Sequence, residues 1–256
     1  RKGRNGRMTT EFYTLLSALS AEFGPTGCEC RVAALLENEL SGLCDCSRDR
    51  MGSLICHLPG KGEKLLLVAH MDEAGFMVTD IDDKGYLRIA PTGNADPACF
   101  LGKHLTVGNE TVLLKGIGGG KVLHLTSGAE RTDSPSFDKL FIDLGFQNKE
   151  EAEKQIEKGD FAAYSGGLSE LPNGYLAGKA LESRSMCAIA AEVLKLAARK
   201  PVWHAVGIFF DVHQLHKPVC LGLDGLFRFF SVFQAEGHVI AHCHVRKDGI
   251  VLEHHA

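Results

Sequence analysis

A run of five apolar residues, Leu65 to Ala69, ends abruptly at His70, and Asp72 and Glu73 follow. An uninterrupted apolar run of this length predicts a strand that is buried on both faces. In open α/β sheets, ligands bind beyond the carboxyl ends of the strands. Because alternate side chains of a strand point the same way, His70 and Asp72 could share one side of it. This pattern predicts either a metal ligand backed by a carboxylate or a core histidine satisfied by a local aspartate.

Charge and hydropathy limit the class of protein. The chain has 256 residues, a formal net charge of -4 at pH 7 and 45% hydrophobic residues, which suits one large domain or two small ones. The slightly acidic balance argues against a nucleic-acid partner or an anionic membrane surface. No apolar stretch approaches the roughly 20 residues of a membrane span, so we expect no membrane partner. We also expect no secretory signal, a natural start at Met8 and a vector-derived tail over 252–256.

Nine cysteines are dispersed along the chain. A chain of this length can build a core without disulfides, so we expect reduced thiols in a cytoplasmic protein. Cys28 and Cys30, like Cys44 and Cys46, are separated by one residue, whereas the paired cysteines of zinc sites usually have two or more residues between them. We therefore do not expect a structural zinc ion at these positions.

The order of predicted elements indicates an α/β fold with an insertion. Residues 75–174 alternate short strands with turn signals, the pattern of a small antiparallel barrel, whereas longer apolar elements lie on both sides of this region. We therefore predict an α/β domain of residues 8–74 and 175–256, with a mixed sheet flanked by helices. An all-β barrel domain of residues 75–174 is inserted after the strand that ends at His70.

Individual elements follow from periodicity and turn residues. Thr26-Gly27-Cys28-Glu29 has the form of a capping box and predicts the start of a helix. Gly116 to Lys121 lacks the spacing of a phosphate-binding loop, so we predict a flexible connector there. We predict helices over 9–23, 186–198 and 223–233, and a further helix that has Val32, Leu35, Leu36 and Leu40 on one face. The predicted strands are 53–58, 64–70, 76–80, 86–90, 104–107, 111–115, 206–210 and 239–245.

Several motifs occur in a fixed order along the chain. They are Gly24 to Gly27, Asp49 to Ser53, Ala69 to Val78, Lys115 to Gly118 with His124-Leu125, Leu140 to Gly145, and Gly178 to Arg184. Together they resemble the dinuclear-metal aminopeptidases, a cytoplasmic family of glutamyl, deblocking and tetrahedral aminopeptidases whose members often carry an endoglucanase label. The resemblance implies a zinc-peptidase-like α/β fold with an inserted barrel, a peptide substrate, and a homo-oligomer built from dimers, often a hollow dodecamer.

The resemblance also implies a site for two divalent metals, usually zinc or cobalt. It assigns a metal ligand to His70, the carboxylate behind that ligand to Asp72, and the position that bridges the metals to Glu182. The family has two consecutive aspartates here, of which the first bridges the metals, and this chain has Glu182 and Ser183 at the two positions. Glutamate keeps the charge and both oxygens but places them about one methylene further out, and metal–ligand distances tolerate only about 0.2 Å.

The family's next motif contains two glutamates, a general base and a metal ligand, after a buried strand. Here the corresponding residues are His213 and Gln214, with Asp211 two residues earlier. A glutamine cannot act as an anionic ligand or base, so His213 and Asp211 are the candidates for moving protons. The following strand, 239–245, contains no acidic residue where the family has an aspartate ligand. Its His242 and His244 are either zinc ligands of a rebuilt site or solvated histidines of an edge strand. The family's last histidine ligand has no counterpart in this chain.

Charge compensation limits the number of metals. Two divalent ions place about +4 in a small space, and several carboxylates normally neutralise that charge. A single zinc ion on His70, Glu182 and His213, with water as the fourth ligand, fits the available residues better. Two hypotheses follow: a metal-dependent aminopeptidase that acts on peptide N-termini, or a catalytically silent homologue that serves as an oligomeric binding or scaffold protein and holds no metal.

Overall fold

The computed structural model describes residues 9–61, 64–120, 136–199, 204–210, 244–246 and 249–251. The chain divides into two units. Unit 1 is Arg1–Glu22, Val32–Met71 and Gly167–Ala256, and unit 2 is Phe23–Arg31 and Asp72–Gly166. The domain boundaries given above from the sequence stay a prediction.

Unit 1 contains a four-stranded mixed sheet in the order β1-β2-β12-β3. β1 (Asp45–Arg48), β2 (Leu54–Leu58) and β12 (His204–Phe210) are antiparallel neighbours. β12 runs parallel to β3 (Lys64–His70), and the last pair of their register joins Phe210 and His70. The mixed sheet predicted from the sequence is therefore confirmed.

Three helices cover this sheet with apolar residues. They are α1 (Thr10–Ala21), α2 (Cys30–Leu40) and α4 (Leu181–Ala198). α1 begins at a capping residue, because the Thr9 side chain accepts a hydrogen bond from the Phe12 amide at 3.2 Å. The helices contribute to one apolar core with the strands, and its fully buried members include Leu16, Leu19, Val32, Leu36, Leu54, Cys56, Ala191, Leu194 and Phe209.

The apolar run that precedes His70 forms β3, but its burial differs from the prediction. Leu65 to Val68 are only half-buried, and only Ala69 of this run is buried. The reason is the position of β3 in the sheet, because among the described strands it pairs with β12 alone.

Unit 2 contains a closed six-stranded barrel in the order β4-β5-β8-β7-β6-β9, which confirms the predicted small barrel. Aromatic side chains fill its interior, and Phe76 packs edge-to-face on Phe100 with ring centroids 5.1 Å apart. The barrel strands are β4 (Gly75–Ile81), β5 (Leu87–Thr92), β6 (His104–Gly108), β7 (Leu113–Gly120), β8 (Leu140–Asp143) and β9 (Phe161–Tyr164).

The prediction of a flexible connector at Gly116 to Lys121 is wrong for Gly116 to Gly120, which form the second half of β7. These glycines are required by close packing. A Cβ at Gly116 would lie 2.6 Å from Leu144 Cδ2, and one at Gly118 would lie 2.4 Å from the Phe100 carbonyl oxygen. A glycine inside a strand often marks such a close approach.

Two predicted elements lie wholly or partly outside the described residues. The predicted helix over 223–233 lies outside the described residues, as do residues 239–243 of the last predicted strand. Within the described part of the chain, no helix has the length and apolar character needed to cross a membrane.

The remaining described α-helix and strands are short. They are α3 (Lys149–Ala152), β10 (Ser169–Glu170), β11 (Leu176–Ala177), β13 (His244–Arg246) and β14 (Gly249–Val251).

A partly buried lysine connects α4 to α2. Lys195 Nζ donates to Glu192 Oε1 at 2.8 Å and to Glu39 Oε1, and the Lys195 side chain is only 16% exposed. Burial lowers the pKa of Lys195, but the hydrogen bonds to Glu192 and Glu39 more than offset that effect, so the pKa lies above its ordinary value.

We expect Lys195→Met to lower the free energy of unfolding by about 1 kcal/mol at pH 7. Because the folded pKa is raised, this contribution is fully present below the unfolded lysine pKa of about 10.4 and is lost as the pH rises through the folded value. Urea unfolding at pH 7 and in strongly alkaline buffer measures it. Lys154→Met, at an exposed position, is the control. If Lys195→Met destabilises the protein as much in alkaline buffer as at pH 7, the role given to the charged Lys195 is contradicted.

Candidate functional site

His70 is the last residue of β3, and its carbonyl oxygen accepts a hydrogen bond from Cys187 Sγ of α4 at 3.2 Å. This contact places the early turns of α4 beside the carboxyl end of β3. Glu182 lies five residues before Cys187, which is about 7.5 Å along a helix axis. The structure thus puts His70 and Glu182 at the same end of the unit 1 sheet, although their assignment as metal ligands stays a prediction.

Glu182 stands in the first turn of α4 and is exposed. The residue before the helix, Ala180, has φ 53° and ψ 24°, a left-handed conformation that a side chain with Cβ rarely adopts. A carboxylate in the first turn interacts favourably with the partial positive charge of the helix N-terminus. Glu182 is therefore an accessible anion at a sharply turned backbone.

The residues on either side of Glu182 have structural contacts. Ser183 is buried, and its Oγ donates to the Ala180 carbonyl oxygen at 3.2 Å. Arg184 is fully buried, and its Nη1 donates to the Leu19 carbonyl oxygen of α1 at 3.3 Å. The family's second aspartate is therefore replaced here by a hydroxyl that bonds to the backbone.

The segment before α4 is also joined to α1. Lys179 Nζ donates to the Glu22 carbonyl oxygen at 2.7 Å, and Ser20 Oγ donates to the Lys179 carbonyl oxygen at 2.8 Å. The motif Gly178 to Arg184 is thus held to the end of α1 from both sides of Glu182. No local sequence pattern links Ser20 to Lys179, because the two residues are 159 positions apart.

Asp72 belongs to unit 2, where it is 9% exposed and accepts a hydrogen bond from Thr26 Oγ1 at 2.8 Å. The neighbouring residue Glu73 accepts from the Gly24 amide through Oε1 at 3.2 Å, and it pairs with Pro25 in an isolated parallel bridge. Two family motifs, Gly24 to Gly27 and Ala69 to Val78, therefore meet at buried carboxylates.

The capping-box prediction at Thr26 is wrong. α2 begins only at Cys30, four residues after Thr26, so Thr26 is not its capping residue, and the Thr26 hydroxyl donates to Asp72 Oδ2. Glu29 instead accepts from the Gly27 amide at 2.7 Å.

We expect Thr26→Val to destabilise unit 2 by about 2 kcal/mol, because it keeps the volume of the side chain but leaves the buried Asp72 oxygen without its hydroxyl donor. Thr26→Ser keeps the donor and is the matched control, with a loss of under about 1 kcal/mol. Urea unfolding of the two variants measures the difference. Equal stabilities of Thr26→Val and Thr26→Ser would contradict the importance of this hydrogen bond.

The other predicted site residues, His213 and Asp211, lie outside the described residues, as do Gln214 and His242; His244 lies in β13. Among the described residues, no three His, Cys, Asp or Glu side chains are arranged to hold a metal ion. The imidazole of His70 and the carboxylate of Glu182 fit zinc or cobalt in kind. A complete donor set needs a further residue from the rest of the chain.

Unit 2 also has an open cavity of about 430 Å³, which contains none of the predicted site residues. Burial raises the pKa of the Tyr164 hydroxyl at its wall, as do the nearby Cys99 and Asp96. The cavity is lined by Cys99, Gly102, Lys103, His104, Tyr164 and Ser165.

Comparison with known proteins agrees with the fold. The profile of the M42 glutamyl aminopeptidase family matches residues 52–214. The protein FrvX of Escherichia coli (strain K12) is 33% identical over 184 residues, which cover 71% of this chain and 52% of FrvX. The chain thus spans about half the length of the curated relatives it matches.

Two solved structures have the same fold. A Thermotoga maritima protein described as an endoglucanase is 32% identical with a TM-score of 0.65, and the match covers 76% of this chain and 58% of that one. The TET1 peptidase of Pyrococcus horikoshii, which can assemble into a tetrahedron or a large octahedral shell, is 27% identical with a TM-score of 0.70 over 77% of this chain and 60% of that one.

Proposed function

The chain belongs to the M42 glutamyl aminopeptidase family, and from this membership we propose that the protein is a metal-dependent hydrolase that removes residues from peptide N-termini. The observation that supports the proposal is the contact between Cys187 Sγ and the His70 carbonyl oxygen. It brings the helix that begins near Glu182 to the end of the strand that carries His70.

In this proposal His70, Glu182 and His213 hold one zinc or cobalt ion. When bound, the ion supplies Lewis-acid chemistry, since it polarises the scissile carbonyl and acidifies water. Asp211 moves a proton to the leaving amide nitrogen when His213 binds the ion, and His213 takes this role only if it is not a ligand. The role of Asp72 as the carboxylate behind His70 stays a prediction.

A second candidate function rests on Ser183. Where the family has a second acidic residue, this chain has a buried hydroxyl that donates to the Ala180 carbonyl oxygen. A hydroxyl used in this way supplies no negative charge to a metal. This observation favours a catalytically silent homologue that keeps the fold as an oligomeric binding or scaffold protein.

Elemental analysis of the purified protein, with hydrolysis of aminoacyl p-nitroanilides, separates the two candidates. The hydrolase proposal expects about one zinc or cobalt ion per chain and measurable hydrolysis. Both are lost in His70→Ala and retained in Glu182→Asp, which restores the family's residue. His104→Ala, at an exposed position in unit 2, is the matched control.

The outcomes are distinct. No metal, together with no thermal shift after zinc or cobalt is added, contradicts the hydrolase and supports the silent homologue. Two ions per chain contradict the single-ion arrangement. Metal that persists in His70→Ala contradicts the assignment of His70.

We also infer a homo-oligomer built from dimers, a cytoplasmic location and no nucleic-acid partner. The assembly of the Pyrococcus horikoshii TET1 peptidase into closed shells supports the first of these, and the acidic net charge supports the last. Light scattering coupled to size-exclusion chromatography tests the assembly, and a monomer at micromolar concentration would contradict it.

A further inference from the structure

Two free cysteines face each other across the β1–β2 hairpin of unit 1. Cys46 of β1 is the register partner of Cys56 of β2, and their Sγ atoms are 3.1 Å apart. Directly opposite residues of antiparallel strands have Cα atoms about 4.5–5.5 Å apart. That separation lies within the range that disulfides span.

The turn between the strands holds this register. Asp49 Oδ1 accepts from the amides of Met51 at 2.9 Å and Ser53 at 2.8 Å, and the Asp49 amide donates to the Ser53 carbonyl oxygen at 3.1 Å. A register shift of one residue would place Cys46 and Cys56 on opposite faces of the sheet. The turn therefore keeps the two thiols together.

The environment favours a dithiol over a metal site. Cys44 lies two residues before Cys46 and packs against the same apolar core, yet no group of three candidate ligands occurs among the described residues. Burial raises the pKa of the Cys56 thiol, and the neighbouring Cys46, Cys44 and Glu37 raise it further. The raised pKa slows attack by Cys56, and the Sγ–Sγ separation of 3.1 Å is what favours exchange between the two thiols.

We propose that Cys46 and Cys56 are a redox-active dithiol that reduces a low-molecular-weight disulfide and closes into an intramolecular disulfide. Cys46 is half-buried on β1, at the edge of the described sheet, whereas Cys56 is fully buried. Cys46 is therefore the thiol that meets the reagent, and Cys56 completes the exchange.

The reaction balances without any other reagent. The Cys46 thiolate attacks one sulfur of the small disulfide and releases the first small thiol. The Cys56 thiolate then attacks the Cys46 sulfur of the mixed disulfide and releases the second. The protein gives up two electrons and two protons, and the small disulfide becomes two thiols. The buried Cys56 makes the second step the slower one, because the thiolate is the attacking species.

The test uses the full chain and oxidised glutathione. After oxidation and quenching, we expect two fewer alkylatable thiols than in the reduced chain, and peptide mapping by mass spectrometry should find a Cys46–Cys56 link that dithiothreitol reverses. The link closes a short loop, so thermal unfolding should shift upward on the order of 5 °C.

Variants of the same cluster supply the controls. Cys46→Ser and Cys56→Ala should lose the link, whereas Cys44→Ser, which changes a neighbouring thiol, should retain it. Since Cys46 is only half-buried, Cys46→Ser decides the result if Cys56→Ala fails to fold. The proposal is overturned if the link joins other cysteines, if only mixed disulfides form, or if Cys46→Ser still loses two thiols.

Discussion

Gly108→Ala is expected to destabilise the barrel of unit 2 by about 3 kcal/mol or more. Gly108 ends β6 with φ +150°, and a Cβ there would lie 1.9 Å from the Val112 carbonyl oxygen and 2.8 Å from its carbon. The obstacle is backbone, so no side-chain rotation relieves it.

The turn after Gly108 cannot easily move. The Asn109 amide donates to the Val112 carbonyl oxygen at 2.9 Å, and Asn109 Oδ1 accepts from the amides of Thr111 and Val112 at 3.0 and 3.1 Å. Asn109 Nδ2 also donates to Asp160 Oδ1 at 3.0 Å. Any shift that accommodates a methyl group at Gly108 would break several of these hydrogen bonds.

Gly145→Ala is the matched control for Gly108→Ala. Gly145 also has a positive φ, of +82°, but a Cβ there would meet nothing within 4 Å. We expect Gly145→Ala to lower the free energy of unfolding by about 1 kcal/mol, through the backbone conformation alone. Urea unfolding followed by circular dichroism compares the two, and equal midpoints would contradict the predicted backbone clash.

Arg184→Ala is expected to lower the free energy of unfolding by about 3–5 kcal/mol. Arg184 is fully buried, and it is the largest fully buried side chain among the described residues. Its loss would remove the Nη1 donor from the Leu19 carbonyl oxygen and leave a cavity between α4 and α1. The Leu19 carbonyl oxygen keeps the Glu22 amide as a donor at 3.3 Å, so the unfilled cavity supplies most of the destabilisation and the lost hydrogen bond supplies the rest.

Arg199→Ala, at the exposed end of α4, is the control and should change stability by under about 0.5 kcal/mol. Thermal and urea unfolding measure both variants. A loss below about 1 kcal/mol for Arg184→Ala would show that solvent or a neighbouring side chain replaces the guanidinium.

The fold was largely predictable because its signals are local. Apolar periodicity indicated α1, α2 and most of α4, and alternation with turn residues indicated the barrel strands. The sequence-based prediction was wrong where a residue type is compatible with two different local structures. Gly116 to Gly120 are compatible with a loop or with a tightly packed strand, and Thr26 suits a helix cap or a tertiary hydrogen bond. In both cases a contact with a distant segment decides, at Phe100 and Leu144 for the glycines and at Asp72 for Thr26.

The candidate site was predictable only through resemblance. His70 and Glu182 are 112 positions apart in the chain, and no spacing rule places them at one end of a sheet. The motif around Glu182 predicts a metal ligand, which stays a prediction, and it did not indicate that Ser183 bonds to the backbone or that Arg184 donates to α1. His213 and Asp211 stay predictions.

The pattern of residues along the chain was enough to establish the α/β class, the inserted barrel and family membership, because periodicity, turn chemistry and ordered motifs are properties of neighbouring residues. Only the tertiary structure decided which residues Cys46, Thr26 and Arg184 contact. Their contacts depend on strand register and on which helix packs against which, and these follow from the burial of many residues at once.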